Sequence, residues 1–489
     1  MKATLVSITE TAAAKKANRP FLTPELLAAC AARYSRNNEG LKTILSKVDP
    51  EDPDRSVNAI FRFLDFGHAS IGDMIPVAIF IDEISLWLAY YLWSLAPTRI
   101  DIPILDGYSL EDELLGGQES STRYIRLSSD GLISPEDAGI EPKEREKWGR
   151  SMSQAFESYQ KALDYWTKLS ETDPSLMRIP KQLLEDPSEK SKKAVERMRR
   201  NYAFDRSRYF LPVAAKTNMM MVMPARTWAK LCQYLLSSYP MLTEHYHLGI
   251  LIQQELKLAS PNLDRHAVPK PYLQDFLQHE FDQLVQKSQN QDTSYSGFYS
   301  FHDIPSLPSY RISFPDDCGK EPRKAFAEDL KFHENRYAPF GQTICDTDIR
   351  FGWSAMALAE IRDLNRHRTG SKNCPPIPKG FYCAHEQIPV QWSQSDMQEL
   401  SQSGWEMCLK GLEQLNQGHP SFLYWLPLGV QFAFSHRTTL DKFIYEAELR
   451  TGTGAHFRYA QHFHDLLELW YQAYPETKGL ILEGSAEPE

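Results

Sequence analysis

Two stretches of this chain repeat one order of elements, and the repetition narrows the possible folds more than any other feature. Residues 210–228 read FLPVAAKTNMMMVMPARTW and residues 425–440 read WLPLGVQFAFSHRTTL. Each runs from an aromatic-Leu-Pro through a β-prone apolar segment to a small or polar residue and an Arg that opens an amphipathic helix. The periodicity predicts helices from about Thr227 to Leu258 and from about Thr438 to Tyr474, each ending near a Pro, with further helices upstream around 143–170 and 395–416. Apolar segments at 74–81 and 218–223 are strand candidates. A repeated order of elements at long spacing points to internal duplication. The expected fold is α+β: two tandem modules, 1–285 and 323–489, each a small sheet packed with long helices. Residues 286–322, rich in Gln, Ser, Pro, Asp and Tyr, read as a linker. The charged run 180–200 reads as a solvated helix, and the last ten residues, LILEGSAEPE, as a frayed tail.

The 489 residues are ample for two cores. A formal net charge of -10 argues against a general nucleic-acid binder, so an anionic small molecule needs a local cluster of Arg and Lys. The longest apolar stretch, Met74 to Pro97, carries Asp82 and Glu83 in its interior; charges there are costly in lipid, so a buried helix-strand segment is expected and no membrane partner. The N-terminus lacks the apolar core of a secretory signal, and the seven cysteines form no CxxC pair. Free cysteines in a reducing cytoplasm are expected; a metal corner of Cys374, Cys383 and His385 is the alternative. No GxGxxG follows a strand, and neither GxxxxGK[ST] nor GxSxG occurs.

Arg366-His367-Arg368, followed by Thr369-Gly370-Ser371, is the densest basic cluster with a nearby hydroxyl. Two guanidiniums flanking an imidazole suit a diphosphate, because each fork binds oxygens bidentately; a solvated basic turn is the bland alternative. Glu119, Ser121 and Arg123 follow the Gly116-Gly117 pair, and on an extended segment Ser121 and Arg123 point the same way and could grip one phosphate. An exposed polar strand is the competing reading. His68, in Gly67-His68-Ala69-Ser70, is either an interior histidine or a ligand contact. Arg208, Arg226, Arg437 and Arg450 border or enter apolar helices, where a guanidinium needs either a structural carboxylate or an anionic ligand.

Together these segments resemble the flavin-dependent thymidylate synthase (ThyX) family, whose signature is RHRxxSxNExSxRY, preceded by a GHxSxxEH-like segment and followed by RxxLP, NAR and an LR-containing helix. GHASIGDM at 67–74 matches the histidine segment, with Asp73-Met74 in place of Glu-His. Gln118 to Tyr124 matches NExSxRY, Arg208 to Pro212 matches RxxLP, and Pro224-Ala225-Arg226 matches NAR. Arg-His-Arg is missing from this half, its place falling near Ser94-Leu95-Ala96, and Leu235 stands where the family has its helix Arg. The second half has the opposite gaps. It keeps Arg366-His367-Arg368, Ser371 and Asn373, puts Pro376 and Pro378 in place of the Ser and Arg, carries Leu423 at the position of Arg208, reads Ser-His-Arg437 for NAR, and restores the helix Arg as Arg450.

The resemblance implies one-carbon (methyl) transfer to C5 of a uracil nucleotide, of the dUMP-to-dTMP type, with FAD as cofactor and NADPH and methylenetetrahydrofolate as co-substrates. It assigns Arg450 to the pyrimidine ring, Ser121, Arg123, Arg208 and Glu119 to the nucleotide, and Arg366, His367, Arg368, His68, Arg437 and Ser371 to FAD. It also implies one composite site assembled from both halves, in a homodimer that forms a pseudo-tetramer. The alternatives are a related flavoenzyme modifying another pyrimidine and a catalytically degenerate nucleotide-binding protein.

Overall fold

Alternating burial builds the first sheet. The computed structural model describes residues 1–6, 12–18, 20–34, 41–48, 52, 55, 57–58, 69–98, 116–290, 305–314, 322–367, 369–392 and 395–486. Four strands, β1 (Lys2–Val6), β2 (Pro76–Ser85), β3 (Gly116–Glu119) and β4 (Lys216–Pro224), pair antiparallel in the order β1-β2-β4-β3. In β4, Thr217, Met219, Met221 and Met223 turn inward at every second position. Helices Ala225–Ser237 and Thr243–Ala259 cover that face with Trp228, Leu231, Leu235, Leu248, Ile252 and Leu256. Each such fully buried side chain contributes roughly 1.5–3 kcal/mol. Trp228 also donates its indole N–H to the Val77 carbonyl of β2 at 3.0 Å. Both expected strands are present, and the 74–97 segment is β2 followed by helix Leu86–Thr98. Among the described residues no helix is long and apolar enough to cross a membrane.

The second sheet has β5 (Pro308–Ser313), β6 (Asp348–Ala357), β7 (Ser371–Asn373), β8 (Gly380–Phe381) and β9 (Val430–Thr439), antiparallel in the order β5-β6-β9-β7, with β8 also on β9. The order matches the first sheet strand for strand. So do the irregularities: the register shifts between Ile81 and Ile84 in β2 and between Trp353 and Met356 in β6. β5 lies inside the stretch expected to be a linker. The long helices of this part are Arg145–Thr172, Glu189–Ser207, Ser395–Asn416, Leu440–Thr451 and Phe457–Ala473.

Each expected long C-terminal helix is two helices. The first breaks around Pro240, whose ring lacks the amide a continuing helix needs, and the second at Gly452–His456, where Gly454 has φ +83°. The charged 180–200 run is Lys181–Glu185 and the start of Glu189–Ser207. The C-terminus is not frayed through residue 486. Leu482 N donates to Glu448 Oε1 (2.8 Å), Gly484 N to Thr451 Oγ1 (3.1 Å) and Ala486 N to the Thr451 carbonyl (2.7 Å).

The chain packs as two compact units. The first holds residues 1–120, 133–140 and 216–282, and the second 121–132, 141–215 and 283–489. The units therefore interleave in sequence, unlike the modules expected at 1–285 and 323–489. Arg123 and Arg208 belong to the same unit as Arg366, His367 and Arg450.

Candidate anion-binding site

Within the second unit, arginines from distant parts of the sequence converge on two aspartates. Arg123 lies in a turn after β3, Asp205 near the end of helix Glu189–Ser207, and Arg208 in the 3-10 turn Arg208–Phe210. Asp363 sits on helix Leu358–Leu364 with Arg366 and His367 just beyond it, and Arg450 ends helix Leu440–Thr451. Arg123 clasps Asp205 bidentately, Nε to Oδ1 and Nη2 to Oδ2, both 2.8 Å. It also donates to the Gly454 carbonyl in the break between the last two long helices (3.2 Å). Arg208, almost wholly buried, directs Nη1 and Nη2 to Asp363 Oδ2, each at 3.0 Å.

Electrostatics follow from this packing. Burial opposes charge on Asp363, but Arg208, Arg366, Arg123 and Arg450 outweigh it and hold its carboxyl well below the ordinary range. Burial likewise opposes the Arg123 and Arg208 charges, and Asp205 and Asp363 respectively more than compensate, keeping both fully ionised.

Arg450 is oriented by two contacts: its Nε donates to His367 Nε2 at 2.8 Å and its Nη2 to the Asp363 carbonyl at 2.7 Å, with the guanidinium 5.1 Å from the centre of the Tyr459 ring. Burial pushes the His367 pKa down to about 3. The ring is therefore neutral, and because Nε2 accepts from Arg450 its proton resides on Nδ1. His456 is also neutral, lowered by burial and by Arg208 and Arg123; its Nε2–H donates to the Asp205 carbonyl (3.1 Å) and its Nδ1 accepts from Arg458 N (3.1 Å). Tyr209 completes the wall, donating to Glu360 Oε1 at 2.6 Å.

Of the residues singled out in sequence, the structure brings Arg123, Arg208, Arg366, His367 and Arg450 together around Asp363. Ser121 is adjacent, but in a turn rather than an extended segment: its Oγ accepts from Arg123 N (3.1 Å), so hydroxyl and guanidinium do not project side by side as on a strand. Glu119 belongs to the first unit, where it accepts from the Trp93 indole at 3.1 Å. Ser371 is exposed on β7, opposite Arg437 on β9. Arg437 does not open a helix; it is exposed in mid-sheet and pairs with Asp348 at 3.0 Å. Pro224 and Thr439 end the equivalent strands, so the position matching Arg226 is Asp441, and the Ser-His-Arg437 match was out of register. Arg226 itself pairs with Asp73 at 2.6 Å. His68 and Arg368 lie outside the described residues. Cys374 and Cys383 are in no disulfide, and no metal-holding group of His, Cys, Asp or Glu occurs among the described residues.

The sequence reading missed Asp205, Asp363, Glu360, His456 and Tyr459. One signal was available: Asp205 and Asp363 each precede an Arg by one helical turn.

The class defined so far is an α+β protein of two similar antiparallel sheets whose second unit carries a buried, arginine-rich cluster. Residues 21–262 match the family model described as thymidylate synthase complementing protein, and by this match the chain belongs to the ThyX family. The match stops short of Arg366, His367 and Arg450. No curated protein matches the chain.

Proposed function

We propose that the chain is a flavin-dependent enzyme transferring a one-carbon unit to C5 of a uracil nucleotide, dUMP being the expected substrate, with the Asp363 cluster as the anionic end of its site. The observation that carries this reading is the convergence of Arg123 and Arg208, from the family-matched half, with Arg366, His367 and Arg450, which that half lacks. Four guanidiniums facing two aspartates retain positive charge for phosphate oxygens, so the donor set fits both a nucleotide phosphate and the flavin diphosphate.

Arg366 and His367 would hold FAD, with Arg368 and His68 as further candidates; Arg123, Arg208 and Ser121 would hold the nucleotide phosphate. FAD, when bound, supplies the redox and one-carbon carrier chemistry. Arg450, locked by His367 and Asp363, is pre-oriented to stabilise negative charge developing on the pyrimidine ring without reorganising. His367 keeps its Nδ1 proton as a donor. NADPH and methylenetetrahydrofolate are the expected reductant and carbon donor, the cytoplasm the expected compartment, and a homodimer the expected assembly. The test is tritium release from C5-labelled dUMP with FAD, NADPH and methylenetetrahydrofolate: wild type releases it and Arg450→Ala loses at least a hundredfold. Wild-type protein that takes up FAD but releases nothing from dUMP points to another pyrimidine.

One observation favours a second reading. Arg123 already grips Asp205 bidentately and Arg208 directs both terminal nitrogens to Asp363 Oδ2, as expected of a structural network in a catalytically degenerate relative. Protein that stays colourless after incubation with FAD would select it.

A further inference from the structure

A separate cavity in the second unit, of about 250 Å³, opens beside the start of helix Phe457–Ala473. Three arginines line it, Arg178, Arg206 and Arg458, with Gln387, Gln461 and one carboxylate, Glu386. Arg206 is 2% exposed and held rigidly: its guanidinium stacks 3.5 Å from the Tyr202 ring centre and 4.2 Å from that of Phe457, while Nη1 donates to the Tyr202 carbonyl (3.3 Å) and Nη2 to Gln387 Oε1 (3.5 Å). Arg458 lies over Tyr382, 4.3 Å from the ring centre, with Nη1 3.6 Å from Glu386. Arg178, exposed at the rim, donates to the Ser485 carbonyl at 3.3 Å, which ties the cavity wall to the C-terminal segment.

Glu386 also accepts from the Tyr382 hydroxyl, so one carboxylate already shared with a phenol faces three guanidiniums. Phe457, Arg458 and Ala460, from the first turn of a 17-residue helix, line the same space, which adds the positive end of the helix dipole. The volume is below the range usual for drug-sized organic ligands and suits a single tetrahedral anion with its first waters. None of these side chains belongs to the Asp363 cluster: Arg206 points to aromatic rings and Gln387, whereas Arg208 points to Asp363.

We propose that this cavity is a phosphate-binding site, distinct from the nucleotide and flavin contacts of the Asp363 cluster. Two of its guanidiniums, Arg206 and Arg458, are pre-organised by stacking, so little of their side-chain entropy is lost when the anion enters. The site takes either free phosphate or the terminal phosphate of a nucleotide, two sources of the same chemistry. It does not depend on the flavin reading.

The experiment is isothermal titration of the full chain with inorganic phosphate at constant ionic strength, comparing wild type with Arg178→Gln, Arg458→Gln and Arg450→Gln. The expected result is a saturable isotherm weakened at least tenfold in the first two variants and retained in the third. Wild-type affinity in both Arg178→Gln and Arg458→Gln, loss in Arg450→Gln alone, or no saturable binding by wild type would overturn the proposal. If Arg458→Gln does not fold, Arg178→Gln, altered only at the exposed rim, decides the matter. Repeating the titration with NADPH present separates the sources: competition lost in Arg178→Gln supports a nucleotide phosphate, and no competition supports free phosphate. FAD uptake, followed by visible absorption on the same samples, reports independently on the Asp363 cluster.

Discussion

At the residue scale, the centre of the molecule is held by charges that cannot be removed singly. Asp363 is the shared counter-ion of a buried guanidinium, so Asp363→Ala leaves Arg208 desolvated and unpaired. Breaking a buried pair in this way costs about 3–5 kcal/mol, and urea unfolding of the variant should show a loss of that size. The pH dependence has a definite sign. Because the folded-state pKa of Asp363 is depressed below the ordinary aspartate value of 3.8, its contribution is present above that pH and lost as pH falls below it. His245, in the first unit, acts higher. It is fully buried, meets Tyr91 edge-on at 4.6 Å, and has no hydrogen-bond partner at either ring nitrogen. Burial lowers its pKa from 6.5 to about 3, so stability present above pH 6.5 declines as pH falls toward 3. His245→Phe removes two desolvated nitrogens and should gain about 1 kcal/mol near neutrality. It should also flatten the decline in denaturation curves between pH 6.5 and 4; an unchanged slope would refute the assignment. The arginines were legible in sequence because an Arg beside an apolar helix demands a partner. Which partner was not legible, because Asp205 pairs with Arg123 and Asp363 with Arg208 across the fold, at sequence separations of 82 and 155 residues.

At the element scale, β7 depends on one glycine. Gly370 has φ +65°, and a Cβ there would collide with the Arg437 carbonyl of β9, so alanine is excluded both by backbone strain and by a contact with main chain that cannot swing away. Gly370→Ala should cost roughly 2 kcal/mol or more. Hydrogen exchange should show lost protection at the Ser371–Asn373 amides, with β6 and its pairing to β9 retained. Strands β2 and β4 were readable as apolar segments with a proline at one end, and so were the helices expected around 143–170 and 395–416, which are Arg145–Thr172 and Ser395–Asn416. β5 was not, because its six residues, Pro308–Ser313, alternate polar and apolar inside a polar stretch and become a strand only by pairing with β6. The helix breaks were likewise hidden, since apolar periodicity continues across Pro240 and across Gly452–His456. Ser121 and Arg123 were read as a strand because the polar run continues from β3; the Ser121 hydroxyl instead caps a turn.

At the scale of the whole molecule, the repeated features bear on how many active sites one chain can carry. The two Leu-Pro corners pair with each other inside the second unit by reciprocal hydrogen bonds, Val213 N to the Leu426 carbonyl (2.9 Å) and Leu428 N to the Leu211 carbonyl (2.8 Å). This exchange of equivalent groups is the pattern of an isologous contact between copies. It supports the proposal that the chain is a fused pseudo-dimer derived by tandem duplication, and the matching sheet orders and register shifts support it independently. The register that sets Pro212 against Pro427 also sets Arg208 against Leu423 and Arg450 against Leu235. Arg208 and Arg450 thus each have an apolar counterpart, and the opposite combination of residues could offer no guanidinium at those two positions. A duplicated chain with one surviving constellation should bind one dUMP rather than two. Equilibrium dialysis should therefore reach one nucleotide per chain. Arg208→Ala and Arg450→Ala should each reduce affinity at least tenfold, and the double variant should lose less than the sum of the two in free energy, because the residues share Asp363. Two nucleotides per chain, or additive losses, would mean that the arginines serve separate sites and that the halves are not interdependent.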